Sequence, residues 1–505
     1  MPGRISNFFP SKFFMFYVFV LFSFCKVPHR TKMRQPSSSH CDHKVLTYTP
    51  SPFARAVGYR KYAANELAEA RTATGKNHDS GGDSDGASKV IAKQQSFPAP
   101  LVLPDDELAH DPTYPPQSVK DWVEEKDRNE VTRKRNVIYI AGPPAVDAEV
   151  DFVRSWTRSR PEHLENLDLV QSPALEDIVE YVGAFYHGMP TKILPLRLTF
   201  AAWDDSKVKN PKYIALNTDA ESTRIRTRQD PTKVFQRQLN LNDILDAELA
   251  VLPPDAYALM LIVDHDLYED EEDAFCCGRA YGGSRIAVVS AARYHPGLDG
   301  VQDVDREHAW PASHCKTFVE ACCAGAGAGP PTRSKREKPI RSRTDHGSGS
   351  GSAENPIVLP STPPAPSRRS SKATANPNPN PLKGAVAAHS QIAPITASSS
   401  PTAPSGLWMS RVCRTVSHEL GHCFGSDHCM YYACVMQGTA SLAEDVRQPP
   451  YLCAVDLEKV LRATGGDVRE RYEALLGFCE RRESVHVLAA LGAWLRSRLR
   501  HVRTR

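Results

Sequence analysis

The residues best suited to chemistry stand in one stretch, His418-Glu-Leu-Gly-His422-Cys-Phe-Gly425-Ser-Asp-His428. Its first five residues have the form HExxH. On a helix, His418 and His422 are one turn apart and project from the same face. Two neutral imidazoles so placed can hold one Zn²⁺ at about 2.0–2.1 Å from each ring nitrogen. Glu419 sits beside the first of them, where its carboxylate reaches a water at the metal rather than the metal itself. Gly425 permits a sharp turn, because glycine adopts left-handed backbone angles at little cost. The turn brings His428 back as a third ligand and leaves a fourth position for water, as a catalytic zinc requires. HExxH alone is a weak signal that also fits a surface helix with two histidines. The glycine and the third histidine at their offsets argue against that reading.

The following residues narrow the family. Cys429, Cys434 and Met436 come in the order H-C-x4-C-x-M, and a long histidine motif with a nearby methionine is the metzincin arrangement. With its interleaved cysteines the stretch resembles the archaemetzincins. The likeness extends to Ala258–Val263 and the following Asp264-His-Asp-Leu-Tyr268, and covers roughly residues 136–325 and 405–480. It is weaker over 33–135, although from Met33 onward the chain resembles the start of fungal members.

The resemblance implies an α/β (α+β) fold: a metzincin-like zincin catalytic domain with a mixed twisted sheet and an active-site helix. It implies a zinc metallopeptidase acting on a peptide or protein substrate, with aminopeptidase-like activity proposed for some members. In such a mechanism His418, His422 and His428 hold the catalytic zinc. Glu419 takes the proton of the attacking water and passes it to the leaving amine. Met436 supplies the methionine turn beneath the zinc. The family's four cysteines hold a second, structural zinc. Cys429, Cys434 and Cys453 match that set, Cys453 one residue closer than usual, but the last position is Asp456. Asp456 lies one helical turn from Cys453 and zinc accepts carboxylate oxygen, so it is the expected fourth ligand, with Cys479 as rival. The alternative function is a zinc-binding module with lost peptidase activity that acts in protein interaction. Glu419 discriminates, because a purely structural site needs no carboxylate there.

Several elements must position these groups. Asn136–Ala141 is a short apolar run that reads as a buried strand, and Ala258–Val263 as the clearest one. Lys192–Phe200 and Tyr213–Asn217 also have strand chemistry. Ser172–Tyr186, Leu239–Leu252 and His314–Cys323 read as helices. Arg285–Ser290 is expected as the strand above the zinc, against which an extended peptide could pair. Phe97–Pro104 is apolar and punctuated by prolines, which rule out a helix, and is expected to lie across the domain surface. Cys41-Asp-His43 could be half of a metal site, but no partner pair lies nearby in sequence. After Asp456 the pattern is helical, ending in an amphipathic, arginine-rich stretch over Val485–Leu499. That stretch is expected to pack on the domain, with a membrane-surface helix as the alternative.

Composition bounds the rest. Of 505 residues 40 are proline, and from Gly325 to about Ser405 the chain is Gly, Ala, Pro, Ser, Thr and basic residues. Such a stretch cannot bury enough apolar area to offset its chain entropy. The expected organisation is therefore as follows: an apolar, signal-like segment or misplaced start over 1–32; an extended, partly disordered arm over 33–135; catalytic parts over 136–325 and 406–480; a disordered insertion over 326–405; and a basic amphipathic helix over 481–505. The net charge of +3 gives no case for nucleic acid. Of the 13 cysteines, three surround the zinc motif, and Cys276-Cys277 and Cys322-Cys323 are adjacent pairs, which favours reduced thiols and metal ligation over a disulfide framework. The expected compartment is cytoplasmic or nuclear, and secreted or membrane-anchored if residues 1–32 act as a leader. Membrane association and oligomeric state are left open.

Overall fold

The computed structural model describes residues 41–76, 96–160, 170–204, 210–219, 221–324, 380–396 and 399–502. The segment 1–32 and residues 325–379 of the expected insertion lie outside the described residues.

In chain order the strands are β1 (Val137–Ala141), β2 (Ala145–Val146), β3 (Thr191–Ile193), β4 (Thr199–Ala201), β5 (Tyr213–Asn217), β6 (Ser222–Gln229), β7 (Arg237–Asn240), β8 (Ala256–Val263), β9 (Leu267–Tyr268), β10 (Gly278–Tyr281) and β11 (Ile286–Ser290). They form a mixed five-stranded sheet, β10-β11-β8-β1-β3, and a six-stranded sheet, β2-β4-β5-β6-β7-β9. In the first sheet every neighbouring pair is parallel except β10 with β11. Alternate side chains of a strand point to opposite faces. Ile138, Ile140, Ala258 and Met260 accordingly enter one core cluster, and Val137, Tyr139, Leu259 and Leu261 enter another. Both faces are covered, which explains the unbroken apolar runs.

Two strand expectations need correction. Lys192–Phe200 is not one strand but two, β3 and β4, in different sheets, because the Pro195 region interrupts it. Ile286–Ser290 is not the edge above the site, since β11 is paired on both sides, by β8 and β10. The edge is β10, and Arg285 ends the tight turn between them in a left-handed conformation, φ 64°.

The central helix, Thr402–Cys423, packs on the first sheet and is buried continuously from Trp408 to Cys423. At 22 residues it spans roughly 33 Å. Trp408 Nε1 donates to Ala291 O at 2.8 Å and Tyr186 OH to Ser417 O at 2.6 Å. Arg411 pairs with both carboxylate oxygens of Asp299 at 2.7 and 2.9 Å.

The N-terminal arm is not an extended surface feature. Pro52–Ala56, Ala64–Glu69, Glu107–His110 and Val119–Glu124 are short helices. Phe97, Val102 and Leu103 are buried, and the Phe97 ring packs among those of Tyr432, Tyr451 and Trp494. The prolines exclude a helix there but do not keep the apolar side chains between them out of the core. The insertion is also shorter than 326–405. Pro381–Ser390 is a helix capped by Asn380, with Leu382 and Ala385 buried, and the central helix begins at Thr402. The C-terminal helix, His486–Leu499, packs against Pro381–Ser390 and against the helix Val468–Glu480. Its stripe of Leu488, Leu491, Trp494 and Leu495 faces the interior, as the packed reading of that stripe requires. Among the described residues no helix is long and apolar enough to cross a membrane.

Candidate metal centre

His418 and His422 lie one turn apart on the central helix, which ends at Cys423 with Phe424 as its C-cap. Gly425 follows in the left-handed region, φ 78°, and Ser426 N closes the turn on Gly421 O at 3.0 Å. His428 is thereby returned to the other two imidazoles, and one nitrogen of each of the three rings lies within 4.8 Å of the others. His418 Nε2 and His422 Nε2 are 3.1 Å apart. Two nitrogens at the zinc bond length and a tetrahedral angle are about 3.3 Å apart, so the pair fits that ion. His418 Nδ1 lies 2.6 Å from Val435 O and His422 Nδ1 lies 2.7 Å from Ser426 O. Each carbonyl accepts the Nδ1 proton and leaves Nε2 with its lone pair toward the site. Burial keeps both rings neutral, His418 down to about 4 and His422 to about 3, and holds His428 well below its ordinary value.

Glu419 is 2% exposed, and its Oε2 is buried without a hydrogen-bond partner. Burial raises its carboxyl to about 8, while the Arg279 guanidinium acts in the opposite direction. Gly278 on β10 faces it so closely that a Cβ there would stand 3.1 Å from Glu419 Oε1. Met436 lies in the chain that returns beneath the helix. A Cβ on Gly421, between the two helical histidines, would collide with its sulfur. Cys429 N bonds to Met436 O at 2.7 Å, so the loops carrying His428 and Met436 are tied together.

Cys429, Cys434, Cys453 and Asp456 form a second cluster, all four buried with ligand atoms within 4.8 Å of one another. Asp456 Oδ2 is 3.3 Å from Cys434 Sγ and 3.2 Å from Cys453 Sγ, and the Cys429 and Cys453 sulfurs are 3.6 Å apart. Three sulfurs and one carboxylate oxygen are a donor set that zinc accepts. The rival, Cys479, is not in this group. It lies in the helix Val468–Glu480 and packs against Gly492 of the C-terminal helix. Lys459, unforeseen from the sequence, donates to Asp456 Oδ1 at 2.9 Å and to Gln117 Oε1 at 2.7 Å. Burial raises the Asp456 carboxyl to about 6, with Lys459 acting against it.

The N-terminal arm braces this region from outside. Trp122 Nε1 donates to Phe424 O at 2.8 Å, Gln117 Nε2 to Gly425 O at 2.9 Å, and Tyr59 OH to Met430 O at 2.7 Å. A Cβ on Gly438 would stand 2.7 Å from His428 Nδ1, so that glycine is a further residue of the site. Only the structure points to it, since nothing in its sequence surroundings singles it out.

The structure thus brings together three buried imidazoles on the HExxHxxGxxH pattern, with a buried carboxylate between the first two, in a mixed α/β protein. Residues 391–462 match the model of peptidase family M54, and the chain is similar to archaemetzincins over part of its length. It is 47% identical over 66 residues to archaemetzincin-2 of Homo sapiens, covering 13% of this chain and 18% of that protein. To archaemetzincin-1 of Homo sapiens it is 34% identical over 90 residues, covering 18% of this chain and 16% of that one. The chain therefore matches less than a fifth of the length of these relatives. The crystal structure of archaemetzincin from Methanopyrus kandleri aligns with 66% of this chain and 99% of that chain, at 16% identity and a TM-score of 0.28.

Proposed function

We propose that this chain is a metzincin-like zinc metallopeptidase that hydrolyses peptide bonds, with His418, His422 and His428 as the catalytic zinc ligands and Glu419 as the general base. The observation that carries the proposal is the three-histidine cluster beside the buried, unpartnered Oε2 of Glu419. A bound zinc ion supplies Lewis acidity, polarising a carbonyl and lowering the pKa of water to about 7. Glu419 Oε2 accepts the proton of the attacking water, which forms the new C–O bond, and then delivers that proton to the leaving amine as the C–N bond breaks.

The substrate is proposed to lie along β10, in extended form. β10 ends the five-stranded sheet, and an edge strand offers backbone groups to an added strand. Gly278, beside Glu419, lets the two approach closely. Cys429, Cys434, Cys453 and Asp456 are proposed to hold a second zinc that fixes the loops carrying His428 and Met436. A binding module without activity would gain nothing from a desolvated carboxylate at position 419, which carries a cost in stability.

The test is hydrolysis of a mixed library of internally quenched and N-terminally labelled peptides by the full chain. Cleavage should vanish on chelation and return with Zn²⁺. A zinc-loaded chain that cleaves no library member would refute the proposal, and release of N-terminal residues alone would define an aminopeptidase.

A further inference from the structure

Cys41 and His43 have partners after all, more than 260 residues further along the chain. Val45–Thr47 runs antiparallel to His314–Lys316: Thr47 N donates to His314 O and Lys316 N to Val45 O, both at 2.8 Å. This pairing puts Cys41 Sγ 2.7 Å from Cys315 Sγ. One ligand atom each of Cys41, His43 and His308 lies within 4.8 Å of the other two. We propose that Cys41, His43, His308 and Cys315 form a further metal site, a Cys₂His₂ set for Zn²⁺, which fastens the N-terminal segment to the start of the helix Lys316–Ala324.

The contacts behind the two histidine rings support a ligand role. His308 Nδ1 is 2.7 Å from Asp305 Oδ2. A carboxylate there holds the Nδ1 proton and turns Nε2 toward the site as an acceptor, the usual support of a zinc-bound histidine. The ring is fixed by stacking on Phe318, with centroids 4.1 Å apart and planes 8° apart. His308 Nε2 and His43 Nε2 are both buried without a hydrogen-bond partner. The nearest carboxylate oxygen to His43, on Glu307, is 4.0 Å away. Side-chain exposures of 14% for His43 and 12% for His308 leave little access to water.

The backbone of His43 is left-handed, φ 51°. A non-glycine residue is held there only when its surroundings compensate, and metal ligation would do so. Two sulfurs and two imidazole nitrogens are the donor set of structural zinc sites. At a tetrahedral zinc two sulfurs stand roughly 3.7 Å apart, so the Cys41 and Cys315 sulfurs would separate by about 1 Å on binding. The site shares no residue with the two clusters around the histidine motif and does not rest on the peptidase proposal.

The test uses the full chain as purified under reducing conditions. Native mass spectrometry should show one Zn²⁺ fewer in Cys41→Ser and in His308→Ala than in the parent, with hydrolysis of the peptide library retained. Unchanged zinc content in both variants would overturn the proposal. If either variant fails to fold, differential alkylation of the parent chain replaces it. Cys41 and Cys315 should resist iodoacetamide until a chelator is added and then react together. Reaction before chelation would overturn the site, as would resistance relieved only by a reductant, which would identify a Cys41–Cys315 disulfide.

Discussion

Lys459 Nζ lies 2.9 Å from Asp456 Oδ1, and both side chains are almost fully buried, 2% and 1% exposed. The other carboxylate oxygen, Oδ2, faces the sulfurs of Cys434 and Cys453. The aspartate thus turns one oxygen to the cluster and the other to the Lys459 ammonium.

That division makes Asp456 structurally critical. Asp456→Ala would leave a buried ammonium without its partner, which typically costs about 3–5 kcal/mol, and would remove one zinc equivalent. Cys434→Ser should lose the same equivalent while keeping the ion pair, and so cost less. Urea unfolding with zinc analysis separates the two effects. Equal stability of Asp456→Ala and the parent would contradict the arrangement.

Glu419→Gln should keep the zinc held by the three histidines, because the carboxylate is not among the clustered ligand atoms. Hydrolysis should fall by about 10²- to 10⁴-fold, the range of general-base contributions. Single-turnover rates on any peptide cleaved by the parent give the measurement. Loss of metal together with activity would instead make Glu419 a ligand.

Gly438→Ala should disturb the centre without replacing a ligand. Its new Cβ would stand 2.7 Å from His428 Nδ1 and 2.9 Å from Cε1, so the ring must shift. Overpacking of this kind costs about 1–3 kcal/mol, and affinity for the catalytic zinc should drop. Gly283→Ala is the control, with open space around its Cβ, and chelator competition should leave it like the parent.

Glu248 titrates against the fold. It is 1% exposed on the helix Leu241–Val251, and neither carboxylate oxygen has a hydrogen-bond partner. Burial raises its pKa well above the ordinary value, whereas in the unfolded chain it titrates near 4.3. The folded state therefore keeps a proton that the unfolded state releases. Its contribution to stability falls as pH rises from about 4.3 through the folded-state pKa. Glu248→Gln should flatten that slope and raise stability at pH 8 by about 1 kcal/mol or more. Chemical denaturation at pH 5 and pH 8 reads this directly, and an unchanged slope would assign the titration elsewhere.

A deletion separates the low-complexity stretch from the folded core. Removing 328–378 and joining the ends with a short flexible linker should preserve zinc content and thermal midpoint. Extending the cut through Ser390 removes Leu382 and Ala385 from the core, and should lower the midpoint by several degrees. Equal midpoints would make the helix Pro381–Ser390 dispensable.

The histidine motif was legible because its groups are local: His418 to Met436 spans less than 20 residues, and helical spacing plus one glycine fixes most of the geometry. The second cluster was expected from the family resemblance, and Asp456 from its place one helical turn after Cys453. What escaped was non-local or chemically muted. Cys41 and Cys315 are 274 residues apart, and no local pattern joins them. β10 reads Gly-Arg-Ala-Tyr, too polar to outrank the apolar β11 as a strand, yet it is the edge beside the site. Leu382, Ala385 and Val386 do have helical spacing after Asn380-Pro381, but they follow a run of Asn-Pro repeats whose composition masked it.

The helix Pro381–Ser390 lies against the C-terminal helix, which gives the chain a natural seam. The described residues before 325 contribute the sheets and the edge strand, along with the cluster of Cys41, His43 and His308 and the neighbouring Cys315. Everything after residue 379 contributes all three motif histidines, Glu419, and the whole Cys₃Asp cluster. No metal cluster among the described residues straddles the seam, although the core does. Among the described residues, the segment before 325 thus brings the platform and the segment after 379 brings the histidine cluster, so the core is built by two stretches that complement each other.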